Sequence, residues 1–407
     1  MRITTILLAS TVAAFFACGS SNESNSEKSR ENKNSNDDTT KVESVKEDVV
    51  VTDEMPPQVE FDAYKTDVAR LIAGLPLNGK DSLLLAIAEK DYYKEYAKFT
   101  AETFTKVKES MLTPVKTWVK EKGMLDTRQD ATCFYPLSGP DFMFGNTFYP
   151  HAQNYILMGL ERRGTFPDFT KMSEKHLQVY FEGLKKSMLY INSRGYFVTQ
   201  HMSRDFSRSH LDGVTHMIMY MMAHTEHKII DCYPAYLDKE GKPVRINGAA
   251  PANSVEIKVI EFTDAAQSIK KSAYYISYDV SDSGMKKKPE LEKFLRSFNN
   301  RMAYMKSASC VLFNTDFSIM RDLVLTCDKV IQDDTGVPYK YFTDDKFDVK
   351  LYGTYTTVIK DLAWCIQPKM REDIKTKGEN VDLPFKISYN GNYGKGMILY
   401  AVNKSKK

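Results

Sequence analysis

Several signatures that identify well-known enzyme classes are missing from this chain of 407 residues. It contains no HExxH zinc motif, no GxSxG nucleophile elbow and no CxxC pair. These absences disfavour a zinc site of the HExxH type, acyl hydrolysis by a serine nucleophile and a framework of disulfides. No run of five or more Lys or Arg residues occurs, so a nucleic-acid-binding patch is not indicated. No segment beyond residue 16 approaches eighteen consecutive apolar residues, which disfavours a transmembrane helix.

Cysteine is also scarce, with six residues in the chain. One is Cys18, and the body contains five more, at positions 133, 232, 310, 327 and 365. Most of these five lie in apolar, strand-like or helix-like contexts, and their number is odd. We therefore expect small buried side chains rather than a disulfide framework, although one pair could oxidise outside the cytoplasm.

The amino terminus has the layout of a secretory signal. A single arginine precedes a largely apolar run over residues 3–16, which is shorter than a membrane span. Ala17 and Cys18 follow, and this junction resembles the lipobox of bacterial lipoproteins, with Phe15 where that pattern prefers Leu. The resemblance implies a signal peptide over residues 1–17 and a lipid on Cys18. An ordinary signal peptide followed by a chance cysteine is the alternative.

Residues 19–60 are polar and strongly charged. They carry eleven acidic and five basic side chains, a net charge of −6. So few apolar groups cannot offset the entropy of ordering the chain, and we expect a disordered tether over residues 18–60 that reaches about 35 Å or more from the lipid. Since the whole chain carries +3 and residues 1–60 carry −5, the remaining residues carry +8, in dispersed positions.

The body divides into two patterns. Residues 61–126 predict helices, because apolar side chains recur every three or four positions, as at Tyr93, Ala97, Ala101 and Phe104. Residues 127–407 alternate strands with helices. Strands are predicted at 131–136, 154–160, 228–237, 254–262, 273–280, 308–313 and 328–334, helices at 141–149, 289–305 and 318–327, and a Gly-rich hairpin between two strands at 384–402. The fold class is therefore α/β: a Rossmann-like three-layer sandwich with antiparallel strand additions and an N-terminal helical segment.

The segment 131–161 resembles the first half of a Rossmann-like nucleotide-binding sheet, including that of class I methyltransferases. The tail hairpin resembles the antiparallel final strands of methyltransferase sheets. The resemblance implies a site at the turn after the first strand, with Glu161, 22 positions after Gly139, in the place of the ribose-binding acid. This sequence lacks the glycine-rich motif of those families, and Pro140 removes an N–H that would cradle a phosphate. We therefore expect no cofactor.

A second resemblance covers most of the body. The segments "YPLSGPD" and "QDDTGVPY" are similar to turns of the form YP-x-SGPD and QDD-[ST]-G-[IV]-PY in uncharacterised, exported bacterial proteins. This resemblance implies a single folding unit and suggests no reaction.

Asp333 and Asp334 are the two adjacent carboxylates of the "QDDTGVPY" segment. They could bind a hard cation or act as paired carboxylates in hydrolysis. Asp-Asp-Thr-Gly is also favourable turn chemistry, and adjacent side chains in an extended segment point apart. We favour a turn over a metal site.

The remaining candidates are histidines and one serine. All seven histidines lie between residues 151 and 227. In a helix, Asp212 and His216 would share a face, but a zinc site needs three converging ligands, so ordinary histidines are favoured. Nucleophilic catalysis by Ser138 would need a histidine to activate it, but Ser138 lacks the GxSxG elbow. We expect it to cap the helix that follows, with Asp141 complementing the helix dipole.

The sequence thus predicts an envelope lipoprotein, anchored through Cys18 and with the outer membrane favoured, that binds a small ligand or a protein partner. Neither nucleic acid nor a resident metal is expected, and no catalytic residue is assigned. The candidate ligand-binding residues are Ser138, Gly139, Asp141, Glu161, Asp333 and Asp334. The alternative is an extracytoplasmic enzyme, either a hydrolase or a methyltransferase-like transferase, with its site at the carboxyl ends of the strands.

Overall fold

One mixed sheet organises the computed structural model, which describes residues 58–264, 266–355, 360–389 and 396–406. The signal peptide, Cys18 and most of the predicted tether lie outside the described residues. The strands are β1 Thr132–Tyr135, β2 Asn154–Gly159, β3 Lys228–Leu237, β4 Pro243–Arg245, β5 Glu256–Thr263, β6 Lys270–Ser277, β7 Arg301–Met305, β8 Lys329–Gln332, β9 Phe347–Gly353 and β10 Met397–Asn403.

Helices flank the sheet in the described ranges. They are α1 Ala63–Ile72, α2 Ser82–Ala88, α3 Asp91–Val107, α4 Thr113–Glu121, α5 Phe142–Phe148, α6 Glu174–Arg194, α7 Thr199–Arg208, α8 Thr215–His224, α9 Asp282–Lys287, α10 Pro289–Arg296, α11 Ser318–Leu325 and α12 Pro368–Thr376. A π-helical turn, Lys108–Leu112, joins α3 to α4. Among the described helices, none is long and apolar enough to cross a membrane.

The strand order is β4-β3-β5-β6-β2-β1-β7-β8-β10-β9. The five central strands, β6-β2-β1-β7-β8, are parallel and follow the 3-2-1-4-5 order of a Rossmann sheet. The chain runs outward from β1 to β6 and then returns to β7, which creates a topological switch point between β1 and β7. Antiparallel strands extend both edges, so the predicted α/β class with antiparallel additions is confirmed.

The central strands are buried on both faces, as parallel strands covered by helices must be. In β1, Cys133 and Tyr135 point into a core shared with helices α1–α8, and Phe134 points into a second core shared with α9–α12. The two cores separate the sheet from a helical layer on each side. This arrangement is a three-layer sandwich.

The apolar stripe of α3 differs slightly from its prediction. Tyr93 and Phe104 are buried as expected, but Ala101 is exposed and Tyr96 and Thr100 are buried in its place. The cost of burying these two hydroxyls is offset because each donates a hydrogen bond. The Tyr96 hydroxyl donates to the Ile72 carbonyl, and the Thr100 hydroxyl donates to the Tyr96 carbonyl at 2.8 Å.

Three predicted elements are wrong. The helix expected over 289–305 ends at Arg296, and its last five residues form β7 instead; Asn300, with φ of 47°, marks the break. Residues 308–313 contain a 3₁₀ turn rather than a strand. The described residues of 384–389 form no strand, and β10 pairs with β8 and β9 in place of the predicted hairpin. In each case a long-range pairing or turn overrides a local apolar pattern.

Candidate functional site

A cleft of about 160 Å³ opens at the switch point, at the carboxyl ends of β1, β2, β6 and β7. This is the place where open α/β sheets bind their ligands. Four of the six predicted site residues line the cleft: Ser138, Gly139, Asp141 and Glu161. Other lining residues are Tyr135, Leu160, Tyr196, Phe197, Thr199, Tyr278, Val280, Lys306, Ser307, Ser309 and Tyr389.

The turn after β1 is bonded to the neighbouring strand. Gly139 has φ of +56° and donates its N–H to the Met158 carbonyl at 3.0 Å. The Ser138 hydroxyl accepts the Met158 N–H at 3.1 Å. The helix cap predicted for Ser138 is therefore wrong: Asp141 is the N-cap of α5, and its Oδ1 accepts the Phe144 N–H at 3.1 Å. The cap lies three residues further along because Ser138 and Gly139 are hydrogen-bonded to Met158 of β2.

Glu161 lies across this turn on the cleft wall. Only 4 % of its surface is exposed, and Oε2 accepts a hydrogen bond from the Tyr275 hydroxyl at 3.3 Å. The close approach requires glycine at position 159, because a Cβ there would lie 2.6 Å from Glu161 Oε2 and 2.8 Å from the Gly139 Cα. The structure thus places the acid beside the first turn, where the family resemblance puts it.

A buried ion pair forms the floor of the cleft. Lys306 Nζ lies 2.7 Å from Asp141 Oδ2, and the two side chains are 3 % and 2 % exposed. The Tyr135 hydroxyl donates to the same Oδ2 at 2.8 Å. The lysine also donates to the Gly195 carbonyl and lies 3.6 Å from the centre of the Phe144 ring. Burial lowers the pKa of Lys306, and the Asp141 carboxylate opposes that shift.

Asp333 supports the cleft from behind and does not line it. Its Oδ2 accepts the Ser307 N–H at 2.7 Å, and its Oδ1 accepts the Thr335 N–H and hydroxyl at 2.8 and 2.6 Å. Burial raises the pKa of Asp333, and the hydrogen bonds from Thr335 and Ser307 oppose the shift. The segment it holds is unusual, because Ser307, Ser309 and Cys310 all have positive φ.

Asp334 lies in the turn that follows β8 and makes hydrogen bonds of its own. Its Oδ1 accepts the Ser388 hydroxyl at 3.3 Å, and its carbonyl accepts the Gln367 amide at 2.9 Å. Neither Asp333 nor Asp334 lines the cleft, so the two acids do not join the other four predicted residues.

A disulfide between Cys310 and Cys365 links the wall after β7 to the segment before α12. Cys133, Cys232 and Cys327 are buried thiols. Tyr389 secures the same wall: its hydroxyl donates to the Ser307 carbonyl at 2.5 Å and contacts the Ser309 hydroxyl at 2.7 Å. The cleft wall is therefore held by covalent, ionic and hydrogen-bonded contacts.

The histidines do not converge on a metal site. His216 bonds to Asp212 through Nε2 at 2.8 Å and to the Tyr180 hydroxyl through Nδ1 at 2.9 Å. Within the described ranges, no group of three or more His, Cys, Asp or Glu side chains is placed to hold a metal ion.

Sequence reasoning missed Lys306 and the aromatic side chains at the cleft, Tyr196, Tyr278 and Tyr389. The signal for Lys306 was present, since it directly follows the apolar run "RMAYM". The predicted helix over 289–305 includes this run, and a helix there hides the fact that Lys306 follows the carboxyl end of a strand.

Comparison of the chain with protein-family models, curated proteins and solved structures finds no match. The chemistry of the cleft is therefore the basis for any functional conclusion.

Proposed function

We propose that this protein is an envelope lipoprotein, anchored through Cys18, whose body binds a small polar ligand in the switch-point cleft. One observation carries the binding proposal: the Glu161 carboxylate is held almost buried on the wall of a cleft that aromatic side chains also line. A protein partner in the envelope is the broader alternative.

The size and chemistry of the cleft favour a compact ligand. About 160 Å³ is well below the roughly 300–1,000 Å³ of pockets for drug-sized ligands, which disfavours a dinucleotide. Glu161 accepts hydrogen bonds, so a hydroxyl-bearing or ammonium-bearing ligand suits it. Tyr196, Tyr278 and Tyr389 add rings against which a sugar, base or cation can pack.

Phosphorylated ligands are disfavoured at this turn. The N–H of Gly139 is bonded to Met158, Pro140 has none, and the Phe144 N–H is taken by the Asp141 carboxylate. The usual anion cradle at a helix start is therefore already filled, and by a negative group. This arrangement supports a neutral or cationic ligand.

The disulfide supports an extracytoplasmic location. Such bonds persist in oxidising compartments and are rare in the cytosol, and Cys310–Cys365 agrees with the export that the first seventeen residues predict. The location remains a proposal, with the outer membrane favoured.

The binding proposal is tested with the purified mature protein and a panel of monosaccharides, nucleosides and polyamines, with mass spectrometry of co-purifying molecules. For whichever compound binds, Glu161→Gln is expected to weaken binding about tenfold to a hundredfold, because a charge-assisted hydrogen bond contributes about 1.5–3 kcal/mol. Glu121→Gln, at an exposed position on α4, is the matched control. Equal affinities for the two variants, or no binder in the panel and no co-purifying compound, would contradict the proposal.

Lipid anchoring is tested with Cys18→Ala in cells supplied with a radiolabelled fatty acid. The wild type is expected to carry the label and to sediment with membranes, whereas the variant carries none. A wild type that takes up no label and still associates firmly with membranes would show that the lipoprotein proposal is wrong.

An extracytoplasmic enzyme, such as a hydrolase, is the second candidate. The observation that favours it is the Tyr135–Asp141–Lys306 chain in the cleft floor, a set of buried groups between which protons can move. Chemical conversion of the bound compound by the wild type would select the enzyme; recovery of the compound unchanged would select the binding protein.

A further inference from the structure

A second, larger groove lies between α6 and α7, apart from the switch-point cleft. Its volume is about 620 Å³. The two helices approach closely at its base, because a Cβ on Gly183 of α6 would lie 2.4 Å from the Ser209 Cβ. The groove is therefore a built feature of the helix pair.

Three basic side chains line the groove. Arg204 and Arg208 lie one turn apart on α7, and Lys186 lies on α6. In the part of the chain that the structure describes, the guanidinium groups of Arg204 and Arg208 form no hydrogen bond or ion pair. Two arginines without partners on one helix face are free to bind an anion. Their planar donors suit a phosphate group in particular.

Two carboxylates share the groove. Glu182 is already paired, at 3.4 Å with Lys186 and 3.7 Å with Lys185. Asp205 lies between the two arginines in sequence and also lines the groove. Since three cations line the groove with two carboxylates, the groove keeps a net charge of +1, on a body of net charge +8.

Exposed apolar side chains accompany the charges. Val179 is 36 % exposed on the groove wall, and Leu189, two turns or more further along α6, is 52 % exposed. Basic residues beside exposed aliphatic ones are typical of surfaces that lie on a membrane interface, where the cations contact headgroups and the aliphatic groups enter the acyl boundary.

We propose that the α6–α7 groove docks the body on the membrane surface by binding the phosphate groups of anionic lipid headgroups. The lipid anchor proposed at Cys18 would keep such a surface within reach, and the inference rests on that proposal for proximity alone. Docking of this kind would orient the body, and with it the entrance of the switch-point cleft, relative to the membrane.

The test uses the mature chain, residues 18–407, with Cys18→Ala, so that neither signal nor lipid contributes. Its binding is measured by cosedimentation with vesicles of phosphatidylcholine alone and with vesicles that also contain phosphatidylglycerol. Binding is expected only to the anionic vesicles and should weaken with salt. Arg204→Gln with Arg208→Gln should reduce it by about fivefold for each arginine, hence on the order of 25-fold for the pair.

Lys286→Gln with Lys287→Gln is the matched control, since it removes two exposed cations from α9 and leaves the groove intact. Circular dichroism and a thermal midpoint check that each variant is folded. Equal loss in both double variants, or equal binding to neutral vesicles, would overturn the proposal. A third result would also overturn it: the protein binds inorganic phosphate saturably, this binding needs both arginines, and the anionic vesicles are not bound. The groove would then bind a soluble phosphate.

A failure of this proposal leaves lipid labelling of Cys18 and ligand binding by Glu161 unaffected, so the three proposals are separable.

Discussion

Acidification from pH 7 to pH 5 is expected to lower the free energy of unfolding of the body by about 3–4 kcal/mol through two buried histidines. Burial lowers the pKa of His227 to about 3 and that of His224 to about 3. His227 lies among Phe142 and Phe262, with ring centres 5.5 and 5.1 Å away. His224 stacks on Phe104 at 3.9 Å and keeps a partly exposed edge.

Stability falls on acidification because the unfolded chain binds more protons than the native protein. In the unfolded chain a histidine takes up a proton near its usual pKa of about 6.5, whereas these two stay neutral in the native state until far lower pH. Between those limits the unfolded state binds more protons, so stability falls as the pH falls, by up to about 1.4 kcal/mol per pH unit for each histidine. Carboxylates whose pKa is lowered in the native state, such as Asp126 and Asp212, stabilise the fold at neutral pH. Their contribution to the free energy of unfolding is lost only below about pH 4.

The measurement is urea unfolding of the unlipidated mature chain at several values between pH 5 and pH 7. His227→Leu should flatten the pH dependence by about 1.4 kcal/mol per pH unit at its steepest. His151→Leu removes an exposed histidine and serves as the control, with the wild-type slope retained. If His227→Leu keeps the full slope, the native state must already protonate His227 near its usual pKa.

Replacing Lys306 by Met is expected to destabilise the protein by about 3–5 kcal/mol. The substitution leaves the Asp141 carboxylate buried with hydrogen bonds from Tyr135 and the Phe144 N–H but without its cation. An uncompensated buried charge costs far more than the loss of an exposed pair. Because Asp141 also caps α5, the damage should spread to the turn that forms the cleft.

Two comparisons make this prediction specific. Lys94→Met breaks an exposed pair with Glu89 and should leave the free energy of unfolding close to the wild-type value. The double variant Lys306→Met with Asp141→Asn should be more stable than the sum of the two single effects, because it removes the buried charge together with its partner. Urea midpoints give all four values. A loss below about 1 kcal/mol for Lys306→Met would mean that water reaches Asp141.

Part of the site was predicted through the resemblance of residues 131–161 to a Rossmann-like sheet. That resemblance implied an acid, Glu161, beside the turn that contains Gly139, and the structure places Glu161 Oε2 3.6 Å from where a Gly139 Cβ would lie. Asp333 also follows a strand of this sheet, but its side chain turns back to hold the Ser307 N–H. Strand order alone could not distinguish a lining carboxylate from a supporting one, since both lie at the same edge.

Local sequence pattern was sufficient to predict the α/β class and the first two central strands, because these depend on short-range periodicity and turn chemistry. The acid beside the first turn was implied by the resemblance to a Rossmann-like sheet. Three features became clear from the packed structure alone: Lys306 contacts Asp141, Cys310 pairs with Cys365, and Asp141 rather than Ser138 caps α5. The first two are contacts between residues far apart in the chain, and the third depends on Ser138 being bonded to β2. No local pattern encodes them, because they are set by which surfaces the packed sheet brings together.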